Sequence, residues 1–493
     1  MLDILQTKLH SLLPRGLFAR NVLTLVSGTS LAQIITILAS PIITRQYTPE
    51  DVGVFALYLA ILQFITIVVN WRYEVSIVLP AADREAVNLL VLSLFIGLFM
   101  SLAGGLTVAV CGSGISHILT APALAHWLWF MPLSLLAISV YQSLDAWNLR
   151  RQYFKRLAAR AVTQSTITAA TQITVGQIWH PGPPGLIGGG ILGQSAAAAR
   201  LAWLFFQDEK QLLKEEVNKG EIKRLAREYR RYPFYSSWSG LMNTASVLIP
   251  NFILGIFFTP AVVGFYALGQ RILFAPMDLV GQAIFKVLFP QAIQLEQENK
   301  LQDFARDIFS NLVNLTLTPI FIIALLAPIM FEVVFGPGWM VAGEYTRWLC
   351  IWAVFRFIIS PLFVLYDVYG KQKQAMFLNG ILFILRLAAL LIGASTGDPL
   401  LTIALFAGAS ALMHLFIGLY LFHLCHLSPA AFFIPLLQGF LQALPYLVPI
   451  ILSMLLLPNE LAQLAVALVI ILAFLFFKRK IISNLGEIDT EGS

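Results

Sequence analysis

The chain of 493 residues is 58% hydrophobic and only 12% charged, with a formal net charge of +6. A soluble chain of this length covers its surface with roughly twice that share of charge. A water-soluble globule is therefore excluded, and the medium around most of the surface must be lipid.

The first stretch, MLDILQTKLHSLLPRGLFAR, has no clean apolar core followed by a small-residue cleavage site. It reads as a cytoplasmic amphipathic lead-in rather than a cleaved signal. Runs near 20 apolar residues, the length a bilayer-spanning helix needs, then recur along the chain. They predict spans near 21–44, 53–70, 87–110, 125–146, 161–180 and 186–206. After the charged stretch 207–233 come spans near 234–258, 262–288, 308–334, 345–367, 377–396, 399–422, 431–454 and 459–477. The expected fold class is an all-α polytopic membrane protein of about fourteen transmembrane helices. With the N-terminus inside, 25 of the 32 Lys and Arg fall in cytoplasmic segments. Only Arg45 and Arg347 fall on the outer side, Arg347 at the outer edge of its predicted span, and five lie deeper within spans. Basic residues are retained on the cytoplasmic side, so both termini are expected there.

The second span opens TPEDVGVFAL at Thr48 and the eighth TPAVVGFYAL at Thr259, six of ten positions being identical. Each copy follows a span with a Ser-Gly pair, Ser27-Gly28 and Ser239-Gly240. Pro suits the first turn of any helix, which accounts for Thr-Pro but not for Val-Gly and Ala-Leu in register. The copies are offset by six helices, an even number, which makes the repeat parallel, with a substrate site expected between its halves. The predicted layout is an N-terminal lobe 1–206 (helices 1–6), a cytoplasmic linker 207–233 that is partly helical, and a C-terminal lobe 234–422 (helices 7–12). Two additional helices and a cytoplasmic tail make up 423–493.

No GxxxxGK[ST], H-E-x-x-H or G-x-S-x-G pattern occurs, so no phosphate loop, zinc protease or hydrolase chemistry is indicated. Neither an enzyme nor a cofactor nor a nucleic-acid partner is expected. Cys111, Cys350 and Cys425 offer neither a disulfide framework nor zinc spacing. His423, Cys425 and His426 read as interfacial residues rather than metal ligands. The PGPPG run from Pro181 reads as an outside turn, and Gly189 and Gly193 as a helix-packing pair.

Charges within spans carry the functional signal, because each costs at least about 2.5–3.5 kcal/mol on insertion scales. Arg356 and Arg386 fall near the centres of their helices and line a cavity or form a structural ion pair. Arg271 and Asp278 are seven residues apart, on one face of helix 8. Asp278 is the best mid-membrane acid for coupling to an ion, with partnership to Arg271 as the alternative. Arg200 lies nearer a helix end, and Lys286 reads as snorkelling to the interface. Guanidinium binds phosphate through paired hydrogen bonds, so a cavity with this excess of Arg suits an anionic head group.

The opening RNVLTLVSGTSLAQIITILASPIITRQYTPEDVGVFALYLAI, then WRYEVSIVLP from Trp71, VGFYALGQRI from Val263 and VFGPGWMVAGEY from Val334, resembles one family. It is that of the Wzx-type oligosaccharide flippases, within the multidrug/oligosaccharidyl-lipid/polysaccharide exporter superfamily. The resemblance covers most of the chain apart from the last two helices. It implies two parallel six-helix lobes in a V-shaped, MATE-like arrangement, plus two helices. It also implies a substrate, an undecaprenyl-pyrophosphate-linked sugar repeat unit moved from the cytoplasmic to the periplasmic leaflet by alternating access. Surface polysaccharide synthesis (O-antigen of lipopolysaccharide, capsule or exopolysaccharide) at the bacterial inner membrane is the implied setting, with a polysaccharide polymerase and a chain-length regulator as partners. Arg271, Arg356, Arg386 and Arg200 are the residues this chain offers for the pyrophosphate or acidic sugars. A multidrug antiporter of the same superfamily would use acids in the first lobe, where none is convincing. A polymerase or ligase would carry a long periplasmic loop, whereas the outside loops here are short. A lipid II flippase fits the first-helix features less well.

Overall fold

The structure is a computed structural model that describes residues 17–178, 182–298 and 300–487. The lead-in up to Gly16, Pro181 and the side chain of Lys286 lie outside what is described. Among the described residues, fourteen helices of 18 residues or more follow one another, in agreement with the predicted number. They are α1 (Leu17–Gln46), α2 (Pro49–Thr66), α3 (Asp83–Ile118), α4 (Met131–Arg150), α5 (Phe154–Ile178), α6 (Pro183–Glu216) and α7 (Ser237–Phe257). The second seven are α8 (Pro260–Gln297), α9 (Leu301–Phe335), α10 (Met340–Ile359), α11 (Gln372–Ser395), α12 (Pro399–Leu424), α13 (Pro429–Leu456) and α14 (Glu460–Glu487). No strand occurs among the described residues. In lipid a backbone must satisfy its own polar groups, and the helix does this within one segment. Nine stretches of the described residues are long and apolar enough to cross a bilayer by length and composition. The chain is an all-α polytopic membrane protein.

Contacts divide it into two compact units, Leu13–Ala267 and the residues from Leu268 onward. In the first, α1 packs on α5, α5 and α4 on α6, α3 on α4, and α7 on α2. Helix α5 is rich in Thr and Gln, and some of these polar groups meet protein. Buried Gln172 donates to Leu186 O at 2.9 Å, and Tyr47 Oη donates to Gln172 O at 2.7 Å. Gly189 and Gly193 let α6 approach α5 closely, since a Cβ on either would overlap Gln172 or Thr168.

The stretch 207–228 is not a free linker. Helix α6 continues to Glu216, and a short helix, Lys219–Glu228, turns back with Leu225 fully buried in a core that includes Leu89, Trp147 and Phe205. Asn88 joins the turn by donating to Glu216 O and accepting from Asn218 N, both at 2.9 Å. Ion pairs lace the same end. Asp83 meets Arg150 at 2.9 Å and Arg151 at 2.7 Å, while Arg151 also meets Glu209 at 2.9 Å. Arg224 reaches Glu85 at 2.5 Å. Single exposed pairs contribute little, but a network that shares arginines fixes geometry.

In the second unit α9 packs against α10 and α13, and α12 against both α10 and α11. Phe309, Phe422 and Phe432 meet with ring centroids 4.7–5.2 Å apart. Helices α13 and α14 dock on α9 through Ile322, Leu326, Ala443, Ile450 and Ala467.

The sequence repeat has a structural counterpart. Thr48 caps α2 in a reciprocal box with Asp51, whose carboxylate accepts from Thr48 N at 3.0 Å. At α8, Val262 takes the place of Asp51 and this box is lost. What both copies retain is Pro-x-x-x-Gly, and the two copies touch each other. A Cβ on Gly53 would overlap Pro260 O, and one on Gly264 would overlap Pro49 O. The helix starts approach so closely that only hydrogen fits at either glycine.

Between α2 and α3 the chain turns through Trp71 and Arg72, with φ of 48° and 61°. Side chains disfavour this left-handed region by about 1–2 kcal/mol per residue. Neighbours hold it in place. Asn70 Nδ2 donates to Ser139 O and Ser143 Oγ at 3.2 Å, and Arg72 Nε to Ser236 Oγ at 3.3 Å. Behind the turn, Glu74 sits 3.8 Å from Arg72, with its Oε2 buried and lacking a hydrogen bond among the described residues. Burial raises the Glu74 pKa, against a backbone hydrogen bond and the Arg72 charge, which lower it.

Gly53→Leu and Gly264→Leu should each lower the melting temperature of the purified protein by several degrees, an overpacking cost of about 1–3 kcal/mol. The double variant should lose less than the sum, because both act on one contact; unchanged melting would refute the close approach. For Glu74 the folded pKa lies above the unfolded one, so the folded state binds more protons and stability falls as pH rises through that window. Glu74→Gln should therefore melt higher at neutral pH and lose that slope, as thermal scans between about pH 4 and 8 would show.

Candidate functional site

Residues four apart on a helix share a face. In the second unit three helices bring such pairs together. Helix α8 contributes Phe274 and Asp278, α10 contributes Trp352 and Arg356, and α12 contributes Phe406, Ser410 and His414. Arg386 reaches in from α11. Around the Trp352 ring stand Phe274 at 4.5 Å, Phe406 at 5.5 Å and His414 at 6.2 Å, centroid to centroid. Both guanidinium groups lie against this ring, Arg386 at 4.6 Å and Arg356 at 5.5 Å from its centroid. Arg356 is also 4.6 Å from Phe274, and Arg386 is 5.5 Å from Phe406. A cation within about 6 Å of an aromatic face is attracted by the ring quadrupole, most strongly when desolvated.

The two arginines are held differently. Arg386 is 6% exposed, and its Nε donates to Ser410 Oγ at 2.9 Å. Ser410 O in turn lies 2.7 Å from His414 Nδ1. Arg356 is more open and pairs with Asp278 at 2.6 Å, with side-chain exposures of 30% and 45%. The expected alternative partner of Asp278, Arg271, is not the one it takes. Seven residues along one helix leave two turns between the groups, about 10 Å of rise, whereas Arg356 reaches across from a neighbouring helix. Arg271 is exposed and makes no hydrogen bond or ion pair among the described residues.

Arg200 belongs to the other unit. It donates to Ala159 O at 3.2 Å and Thr163 Oγ1 at 2.5 Å, and so ties α6 to α5. Among the described residues no group of three His, Cys, Asp or Glu is placed to hold a metal ion. Trp352, Ser410 and His414 do not stand out in the sequence as site residues. A signal is present for two of them, since Ser410 and His414 are polar residues four apart in an otherwise apolar span.

Chemically, two guanidinium groups and one carboxylate meet where α8, α10 and α11 come together, with Arg271 two turns along α8. Guanidinium offers a planar fork of donors matched to phosphate oxygens. The Asp278–Arg356 pair is partly exposed, while Arg386 is buried.

Comparison with known proteins agrees with the helical order. The lipid II flippase MurJ, in an inward closed conformation, superposes with a TM-score of 0.72 at 13% identity, over 93% of this chain and 99% of that one. An inward-facing multidrug resistance MATE family transporter of the MOP superfamily gives 0.61 at 14% identity, over 80% and 94%. A MOP superfamily transporter from Pyrococcus furiosus gives 0.51 at 15% identity, over 83% and 96%. At these identities the likeness is one of fold. No curated protein sequence matches the chain. A family model for polysaccharide biosynthesis proteins matches residues 42–344, more than half of the length, and the chain belongs to that family.

Proposed function

We propose that the protein is a flippase for undecaprenyl-pyrophosphate-linked oligosaccharide repeat units, carrying them from the cytoplasmic to the periplasmic leaflet of a bacterial inner membrane. The observation that supports this most is the grouping of Arg356 and Arg386 on Trp352 in a membrane-embedded unit. Charge at that depth is costly and is retained where it has a task. An excess of guanidinium suits a pyrophosphate, whereas an organic cation would call for acids. The family match and the fold shared with a lipid flippase support the same reading.

In this mechanism the two six-helix repeats, 1–206 and 234–422, alternate access to the two sides, with both chain termini in the cytoplasm. Arg386 supplies a fixed donor. Arg356 exchanges its Asp278 partner for a phosphate oxygen when cargo enters and takes it back on release. Asp278, freed in the loaded state, is the group placed to bind a coupling ion. Arg271 adds a further cation on α8. The product would pass to a polysaccharide polymerase and its chain-length regulator, in synthesis of O-antigen, capsule or exopolysaccharide.

Cells lacking the protein should accumulate intact lipid-linked repeat units on the cytoplasmic face, relieved by the cloned gene. Units that reached the periplasm and stayed unpolymerised would refute the reading in favour of an enzyme. Arg356→Ala and Arg386→Ala should each weaken binding of undecaprenyl pyrophosphate to the purified protein about ten- to a hundredfold, the loss of a charge-assisted hydrogen bond. Both should fail to complement while remaining in the membrane; wild-type transport by both would remove them from the site.

A further inference from the structure

A second site lies in the same unit, two helical turns from the arginines. Helix α10 ends at Ile359, and the chain continues through a tight turn, Ser360–Phe363, into a short helix, Val364–Val368. It reverses at Gly370, whose φ is +63°, and enters α11. Pro361 has no N–H to continue the α-helical ladder, which accounts for the tightened turn. Between this segment, the start of α11 and α12 is a cavity of about 220 Å³.

Its wall is chemically mixed. Phe363 and Tyr366 supply aromatic carbon, and Ile417 adds an apolar surface. Tyr366 stacks on Tyr420, centroids 6.2 Å apart at 26°. Asp367, Gln372 and Asn379 supply a carboxylate and two amides. These polar groups have capacity to spare. Gln372 Nε2 lies 3.4 Å from Asp367 Oδ1, beyond the usual range of an N–H···O bond. Tyr366 is 6% exposed, and its hydroxyl has no hydrogen-bond partner among the described residues.

The occupant can be narrowed by size and sign. The volume equals that of about seven liquid waters, below the range for drug-sized ligands. No Lys or Arg lines it, and a carboxylate does, so a phosphate is disfavoured where the arginine cluster favours one. An aromatic wall with a carboxylate and amides matches one pyranose ring, whose C–H face stacks on the ring while its hydroxyls meet the polar groups.

Asn379 precedes Arg386 by seven residues on α11, and Ile417 follows Ser410 by seven on α12. Both helices thus put the cavity about 10 Å along their axes from the arginine cluster. We propose that this cavity is a monosaccharide subsite, which takes a neutral sugar ring of the cargo whose pyrophosphate lies on the arginines. The assignment rests on the flippase reading and specifies its cargo.

The test is saturation-transfer NMR on the full chain in nanodiscs, with free neutral hexoses and N-acetylhexosamines, and with glycerol 3-phosphate as competitor. At least one neutral sugar should bind the wild type. Asn379→Leu and the cavity-filling Ala375→Trp should each weaken it about tenfold with melting unchanged, and Arg386→Ala should leave it unaltered. Absence of any bound sugar, equal binding by both cavity variants, or displacement by glycerol 3-phosphate would overturn the subsite, the last in favour of a lipid head group. The outcome separates from that of the leaflet experiment. Lipid-linked glycan translocated with no sugar bound refutes the subsite alone, and sugar bound with no lipid-linked phenotype refutes the flippase reading alone.

Discussion

A guanidinium group in the core of a bilayer has no water to meet and must be given partners by protein. One part of the second unit's interior follows from that requirement at two positions, Arg356 and Arg386. Their partners come from three helices: Asp278 and Phe274 from α8, Ser410 and Phe406 from α12, and Trp352 from α10, which also carries Arg356. Aromatic rings are the economical solution in lipid. They stay apolar towards their neighbours while presenting an electron-rich face to a cation. The resulting cluster is buried at Arg386 and more open at Arg356.

The same requirement governs the polar helix α5 in the first unit. Its Thr and Gln side chains weaken the hydropathy signal, and several of them, Thr168 and Gln172 among them, pack against neighbouring helices. Gln172 and Tyr47 show the result, a buried amide and phenol both bonded to carbonyl oxygens. At the basic end the polar groups are of another kind, charged side chains that lock α3, α4, α6 and the Lys219–Glu228 helix together. One unit thus uses neutral hydrogen bonds at depth and ion pairs at its rim, in keeping with the greater cost of charge away from water.

The number and order of helices are legible in the sequence because an apolar run of spanning length has little else to be than a membrane helix. Their ends are less so. Hydropathy places α6 over 186–206, and it runs from Pro183 to Glu216; it places α3 over 87–110, and that helix runs from Asp83 to Ile118. Charged turns beyond the bilayer look like loop to hydropathy but continue the helix, since backbone hydrogen bonding is indifferent to side-chain polarity. Of the cluster, the arginines and Asp278 are legible through their cost. Trp352 is not, because a tryptophan in a span reads equally well as facing lipid. The partner of Asp278 is also illegible, since spacing along one helix suggests a neighbour on that helix and says nothing of the arginine across the gap.

The reciprocal approach of Gly53 to Pro260 and of Gly264 to Pro49 has a consequence for how such a chain changes over generations. In most repeated sequences the positions of two copies drift according to separate surroundings. Here each copy is the other's surroundings. A side chain gained at one glycine meets the proline of its own twin, so neither position is free to move without the other. Within the repeated stretch, the glycine of each copy meets the proline of the other. Steric exclusion thus ties Gly53 to Pro260 and Gly264 to Pro49, and a change at one site has to be answered at the other.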